Sequence, residues 1–271
     1  MSRTIIESNN KQIFSLKEVI QYKDLLYTLA WREFRIRYAQ TFLGFLWVLI
    51  QPLATLAIFF VIFGKAIKVD TGDIPYPVFA LTGITAWSFF SFVAATSGRS
   101  LITESAMIKK IYFPRLIIPL SKAFVGLIDF FVGFVLLILS MIYFHVTPSS
   151  NLIWLPVFVF FLFLISLGAG IWISALSIRF RDVQHIIPFL IQIGLYATPI
   201  AYSVNIIPEK YHLIYYLVNP LTPVIEGFRW CITGGSLNIN YVIISFTIIT
   251  LFVLTSLLYF RKVEQTMADI L

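Results

Sequence analysis

Side chains able to do chemistry are few in this chain, and their spacing limits what they can do. The three histidines, His145, His185 and His212, fall in separate loops, and Cys231 is the only cysteine. That leaves no disulfide framework, no multi-cysteine metal site and no visible triad for acyl transfer. Neither H-E-x-x-H nor G-x-S-x-G occurs, and no G-x-x-x-x-G-K-[ST] supplies a phosphate cradle. What remains is a pair of ions in an apolar run, Lys122 and Asp129. Seven residues apart, they share a helix face but lie about 10 Å from each other, too far to pair directly. Lys122 is near enough to the end of its run to snorkel. Asp129 lies deeper and needs a hydrogen-bond partner on another helix, water, or a substrate.

These residues sit in a chain that cannot be an ordinary soluble domain. Of its 271 residues 59% are hydrophobic and 12% charged, with a mean hydropathy of +0.89. A core of this length cannot hide that excess, and a disordered chain would be far more polar. The composition is that of a polytopic membrane protein. Spans are expected at Thr41–Gly64, Pro75–Gly98, Ile117–Phe144, Leu152–Ile178, Ile186–Val204 and Tyr241–Phe260, each near the roughly 20 apolar residues that cross a bilayer. Gly168-Ala169-Gly170 falls inside the fourth, where small residues serve helix packing.

Charge then orients the bundle. Segments alternating on one side hold sixteen of the twenty Lys and Arg residues, and the other side holds Lys65, Lys68, Lys210 and Arg229. The positive-inside rule places both ends of the six-span chain in the cytoplasm, so the formal charge of +7 is mainly a topology signal and not a nucleic-acid footprint. The opening segment is polar or amphipathic and its first apolar run is long for a signal peptide, so none is expected.

Four further features could carry function. Tyr27, Trp31, Phe34 and Tyr38 form one helical stripe with Arg32 and Arg35 off it, the pattern of a helix lying in the membrane interface; it is either a passive anchor or a sliding gate. The loop Arg99–Lys122 contains a helix-compatible Ser105–Phe113 stopped by Pro114, either a docking knob or a solvated connector. Leu213–Ile225, with Asn219-Pro220 and Thr222-Pro223, is too short to cross and reads as a hairpin returning through Glu226–Trp230, re-entrant or lying on the surface. The aromatic load is 17%, densest with tryptophan at Trp87–Phe92. Such rings can stack on sugars, although most aromatics in membrane helices serve packing and interface belts.

The order of segments resembles the membrane subunits of type-2 ABC exporters, specifically those that move lipid-linked polysaccharides such as O-antigen, capsule or teichoic acid. The matching pieces are Trp31–Tyr38 running into Leu43–Trp47 and Gln51-Pro52; Gly83-Ile84 with Trp87–Ser91; Phe113-Pro114-Arg115 with Pro119-Leu120-Ser121; Phe180–Val183; Thr198-Pro199-Ile200; Asn219–Pro223; and Arg261–Glu264. The resemblance implies an all-α integral membrane fold of six transmembrane helices per subunit. Around them it implies an N-terminal interfacial helix, a cytoplasmic coupling helix and a periplasmic re-entrant hairpin before the last helix. Residues 1–40 would form the cytoplasmic N-terminus, 41–260 the transmembrane domain and 261–271 a short cytoplasmic C-terminus.

The same resemblance implies a homodimer in the bacterial inner membrane carrying two copies of a separate ABC ATPase. ATP and Mg would be held by that partner and no cofactor by this chain, which would be a transport subunit and not an enzyme. It implies ATPase coupling through Glu104, Met107, Lys109, Lys110, Tyr112, Phe113 and Arg115, and an interfacial gate of Tyr27, Trp31, Arg32, Phe34, Arg35 and Tyr38. Trp87, Phe89, Phe90, Asp129 and Tyr196 are expected along the translocation path. Arg179 and Arg181 are expected where the lipid pyrophosphate enters, unless they are an ordinary basic loop end. The expected cargo is a polysaccharide on undecaprenyl pyrophosphate, moved outward. Rivals are an exporter of the same fold for a small lipid or drug, a membrane-embedded polyprenyl-phosphate glycosyltransferase, and a secondary transporter using Asp129.

Overall fold

The computed structural model describes residues 16–38 and 44–270 of the chain, all helix, turn and loop with no strand among them. Arg3 and Lys11 of the charge count, and Thr41–Leu43 at the expected start of the first span, lie outside the described residues.

A short helix α1 (Leu16–Gln21) turns at Tyr22 into α2 (Lys23–Tyr38), which has Asp24 in its first turn and Arg35 and Arg37 in its last, complementing the helix dipole. The first apolar run forms α3 (Leu46–Phe59), which contains Pro52 and winds into a π-helical segment over Phe60–Ala66. Helix α4 (Tyr76–Thr103) starts on prolines at Pro75 and Pro77, as a helix N-terminus tolerates. A single turn, α5 (Ser105–Ile108), precedes α6 (Ile117–Tyr143). A 3₁₀ segment over Ser150–Trp154 leads into α7 (Leu155–Arg179), and α8 (Val183–Ala197) follows. The pair α9 (His212–Val218) and α10 (Thr222–Thr233) precedes the longest helix, α11 (Ile239–Ile270). Between α10 and α11 the backbone takes φ of +79° at Gly234 and +90° at Gly235, values an L side chain resists.

Among the described residues five helices are long and apolar enough to cross a membrane: α3 with its π-helical extension, α4, α6, α7 with its 3₁₀ lead, and α11. The expected fifth span, Ile186–Val204, is only partly helical. Helix α8 has 15 residues and ends before Thr198-Pro199. At 1.5 Å per residue it reaches about 22 Å, short of a bilayer core of about 30 Å. The chain beyond it folds inward, with Thr198, Ile200, Ala201 and Val204 all buried. The last helix departs from expectation in the other direction. It runs through the segment expected as a short tail and buries Phe260, Val263 and Met267.

Helix α4 is the axis of the fold, packing most extensively against α7 and α6, and α11 closes on α7. Glycines set the closest approaches. A Cβ on Gly83 would lie 2.9 Å from the Ile200 Cα, and one on Gly227 would enter the Phe158 ring. The main core runs through Ile84, Phe89, Phe130, Phe158 and Phe228. A second core, at the basic end of the bundle, joins Leu29 of α2, Leu101, Ile108, Phe113, Ile117, Ile178 and Met267. That second core seats α2 and the loop between α4 and α6, where most of the expected site residues lie.

Candidate functional site

Helix α2 lies against the start of α6, and its charges decide how. Glu33 and Arg37 are one turn apart on α2 and meet the two ions of α6. Lys122 donates to Glu33, and Arg37 Nη1 lies 2.6 Å from Asp129 Oδ2, whose other oxygen accepts from the Tyr38 hydroxyl. Lys122 therefore does not snorkel. It is 6% exposed and neutralised within the protein. Asp129 has its partners on another helix, so the pairing that its depth requires is met by protein. Burial, together with the Asp129 contact, pushes the Tyr38 phenol well above its usual range, so it remains the proton donor. The Arg37 guanidinium also lies 4.2 Å from the centre of the Phe92 ring, a cation–π contact.

The aromatic stripe of α2 is continuous but not uniformly placed. Rings run in contact from Trp31, stacked on Phe34, to Tyr38 and edge-on to Phe45, with centroids 4.9–5.6 Å apart. Tyr27 and Trp31 are exposed, Phe34 is half-buried, and Tyr38 is buried. Arg35 is exposed, and Arg32 reaches across to Glu104 at the end of α4.

The loop between α4 and α6 divides into an anchor and a knob. Ile108 and Phe113 are buried in the basic-end core, and Met107 is half-buried beside them. Arg115 Nη1 donates to the Glu264 carbonyl at 2.5 Å, pinning the loop to α11. Lys109, Lys110, Ile111 and Tyr112 remain exposed, with Tyr112 at 67%. Of the residues expected at the ATPase, Lys109, Lys110 and Tyr112 are thus presented outward, while Glu104, Phe113 and Arg115 hold the loop in place. The helix expected over the loop is one turn, because Pro114 and the inward Phe113 bend it early.

The residues expected along the path separate as well. Phe89 is 1% exposed, edge-on to Phe130 and stacked near Phe163; it fills the interior of the chain and lines no open surface. Trp87 is buried against Gly194 of α8, where a Cβ would lie 2.6 Å from the ring, and Phe90 packs on it at 5.4 Å. Tyr196 is exposed, and its carbonyl accepts from the Tyr202 hydroxyl at 3.0 Å. Arg181 is exposed one turn before Gln184, whose carbonyl accepts a bond of 3.3 Å from Arg99, and Arg179 lies beside the Phe180 ring.

Between α2, α3, α4, α6 and α8 lies a cavity of about 560 Å³. Thr85, Ser88, Ser91 and Arg99 of α4 line it on one helix face, with Arg37 and Asp129 opposite. At the far end, a cleft of about 530 Å³ gathers Asp70, Asp73, Glu226, Arg229 and Trp230. Acidic residues that are scattered along the sequence thus share one cleft. Arg229 was legible only as a stray outer charge. In the fold it is buried, its guanidinium 3.6 Å from the centre of the Phe79 ring, donating to the Ile200 carbonyl at 2.9 Å and paired with Glu226 at 3.3 Å. Burial lowers its pKa to about 10, with Glu226 acting in the opposite direction, so it stays charged at neutral pH. No group of three or more metal-ligating side chains occurs among the described residues.

Apolar helices built around a polar cavity, with an anchored knob at one end, define a multi-pass membrane protein of the transport type. The chain belongs to the ABC-2 type transporter family, whose pattern matches residues 24–233. Two O-antigen export system permease proteins RfbA of Klebsiella pneumoniae are 30% and 32% identical to it, each over 92% of this chain and 95% of the relative. A polysialic acid transport protein KpsM of Escherichia coli is 27% identical over 87% of this chain and 92% of the relative.

Proposed function

We propose that this chain is the membrane subunit of a polysaccharide exporter, acting as a homodimer in the bacterial inner membrane with two ABC ATPase subunits bound at its basic, cytoplasmic end. The observation that carries the reading is the near full-length similarity to two permeases named for O-antigen export. The cargo is a glycan on undecaprenyl pyrophosphate, moved from the cytoplasmic to the outer side. Lys109, Lys110 and Tyr112 form the surface on which the ATPase acts. The buried Ile108 and Phe113 and the Arg115–Glu264 pin give that surface a stiff seat, so a push on the knob reaches α6 and α11. Through the Lys122–Glu33 and Asp129–Arg37 pairs it also reaches α2, which makes α2 a lever and not only an anchor. Arg179 and Arg181 receive the pyrophosphate at the mouth.

Depletion of the protein tests this directly. Accumulation of undecaprenyl-pyrophosphate-linked polymer inside the cell, with loss of surface polymer, is the expected result. Normal surface polymer without accumulation would refute polysaccharide export and move the cargo to a small lipid or drug. Polymer missing everywhere would point to a biosynthetic enzyme.

A further inference from the structure

The cavity beside α4 is built for one kind of ligand. The polar residues that α4 contributes follow one face of that helix: Thr85, Ser88, Ser91 and Arg99 fall at i, i+3, i+6 and i+14. At 1.5 Å per residue this face extends about 21 Å, from Arg99 at the basic end toward the middle of the helix. Thr85 is 4% exposed, and its hydroxyl has no hydrogen-bond partner, although a buried hydroxyl normally finds one. Its room comes from Gly133 of α6, where a Cβ would lie 3.0 Å from the Thr85 methyl. Asp129 is neutralised by Arg37, which leaves Arg99 as the excess positive charge on the lining. Arg99 is exposed, and among the described residues its guanidinium makes one hydrogen bond, of 3.3 Å, to the Gln184 carbonyl. Facing the α4 groups are the Arg37–Asp129 pair and Gln51, and beside these an apolar wall formed by Val48, Pro52, Pro188 and Ile191.

We infer that this cavity is a binding site for the phosphate or diphosphate headgroup of a membrane lipid, held first by Arg99 and then by the α4 hydroxyls ending at Thr85. A guanidinium at the mouth attracts the anion and matches its oxygens. Hydroxyls deeper in replace water without adding charge, and the apolar walls accept the start of the lipid chain. Arg181 is exposed and lies three residues before Gln184, the residue that Arg99 contacts, so the anion has a route from Arg181 to Arg99 as it leaves the loop. Two lipids carry this chemistry, the polyprenyl diphosphate of the cargo and a bilayer phospholipid. The assignment to the cargo rests on the export reading above.

The test uses the full chain in phosphatidylcholine nanodiscs, titrated with radiolabelled polyprenyl diphosphate. The variants are Arg99→Gln, which alters an exposed side chain, and Thr85→Val, which keeps the shape and removes the hydroxyl; unchanged thermal unfolding certifies both. The expected result is binding weakened at least tenfold by Arg99→Gln and severalfold by Thr85→Val. Unlabelled polyprenyl diphosphate should displace the probe and phosphatidylglycerol should not. Equal displacement by phosphatidylglycerol would overturn the cargo assignment in favour of a phospholipid. Wild-type binding by both variants would overturn the site, and would leave the export reading standing wherever depletion still accumulates polymer.

Discussion

The Glu33–Lys122 pair makes an asymmetric prediction. Lys122 has 7% of its side chain exposed and Glu33 has 24%. Glu33→Gln leaves a buried ammonium without its carboxylate, a class of change that costs about 3–5 kcal/mol. Water that reaches the glutamate side argues for the lower end, about 3 kcal/mol, because some of it can rehydrate the ammonium. Lys122→Met removes the buried charge itself, and the carboxylate left behind can turn to solvent, so its expected loss is about 1 kcal/mol or less. The double variant should therefore be more stable than Glu33→Gln alone. Hydrogen exchange over α2 reads this locally. At about 1.4 kcal/mol per tenfold, 3 kcal/mol is a roughly hundredfold increase in opening of α2 if that helix detaches as a unit. If α2 opens in sections instead, the Arg37–Asp129 pair should keep its turn slower to exchange than the Glu33 turn. Two outcomes would refute the reasoning. One is Lys122→Met as damaging as Glu33→Gln; the other is a double variant no better than Glu33→Gln, for either would mean that the pair is not a closed electrostatic unit.

Gly83→Ala places a Cβ 2.9 Å from backbone that cannot rotate away, so it should lower stability by about 1–3 kcal/mol, seen as an earlier thermal unfolding midpoint in nanodiscs. Arg229→Lys keeps the charge but loses the planar contact with Phe79 and the 2.9 Å bond to Ile200; a loss of about 2 kcal/mol is expected, and an unchanged midpoint would show that charge alone suffices there. Lys110→Glu with Tyr112→Ala alters exposed residues of the knob, so unfolding should stay as in the wild type while ATP hydrolysis by the assembled transporter uncouples from export.

The apolar runs were readable because span length is a one-dimensional property. The expected Ile117–Phe144 and Pro75–Gly98 correspond to α6 and α4, with boundaries shifted by a few residues. The shortfall at α8 was signalled by Thr198-Pro199 but masked by composition, since Ile200, Ala201 and Val204 are apolar for a different reason: they fold back into the core. The ionic contacts between α2 and α6 were harder to see. Lys122 and Asp129 cannot pair with each other, and sequence offers many carboxylates and guanidiniums as partners for each. One signal was present. Glu33 and Arg37 share one face of α2 and carry, in the same order, charges opposite to Lys122 and Asp129 on α6. That is a complementary register between two helices even though the spacings are about 6 Å and about 10 Å.

That register also explains how an anchor can transmit force. A surface helix held only by aromatic rings slides freely along an apolar neighbour, because dispersion contacts have little directional preference. Two charge pairs of opposite polarity remove that freedom, since moving α2 by one turn would place Arg37 near Lys122 and carry both Arg37 and Tyr38 away from Asp129. Any rotation of α6 imposed through the Phe113 anchor must therefore either carry α2 with it or break a buried pair. The arrangement favours carriage, because breaking Glu33–Lys122 would strand the more deeply buried of the two cations.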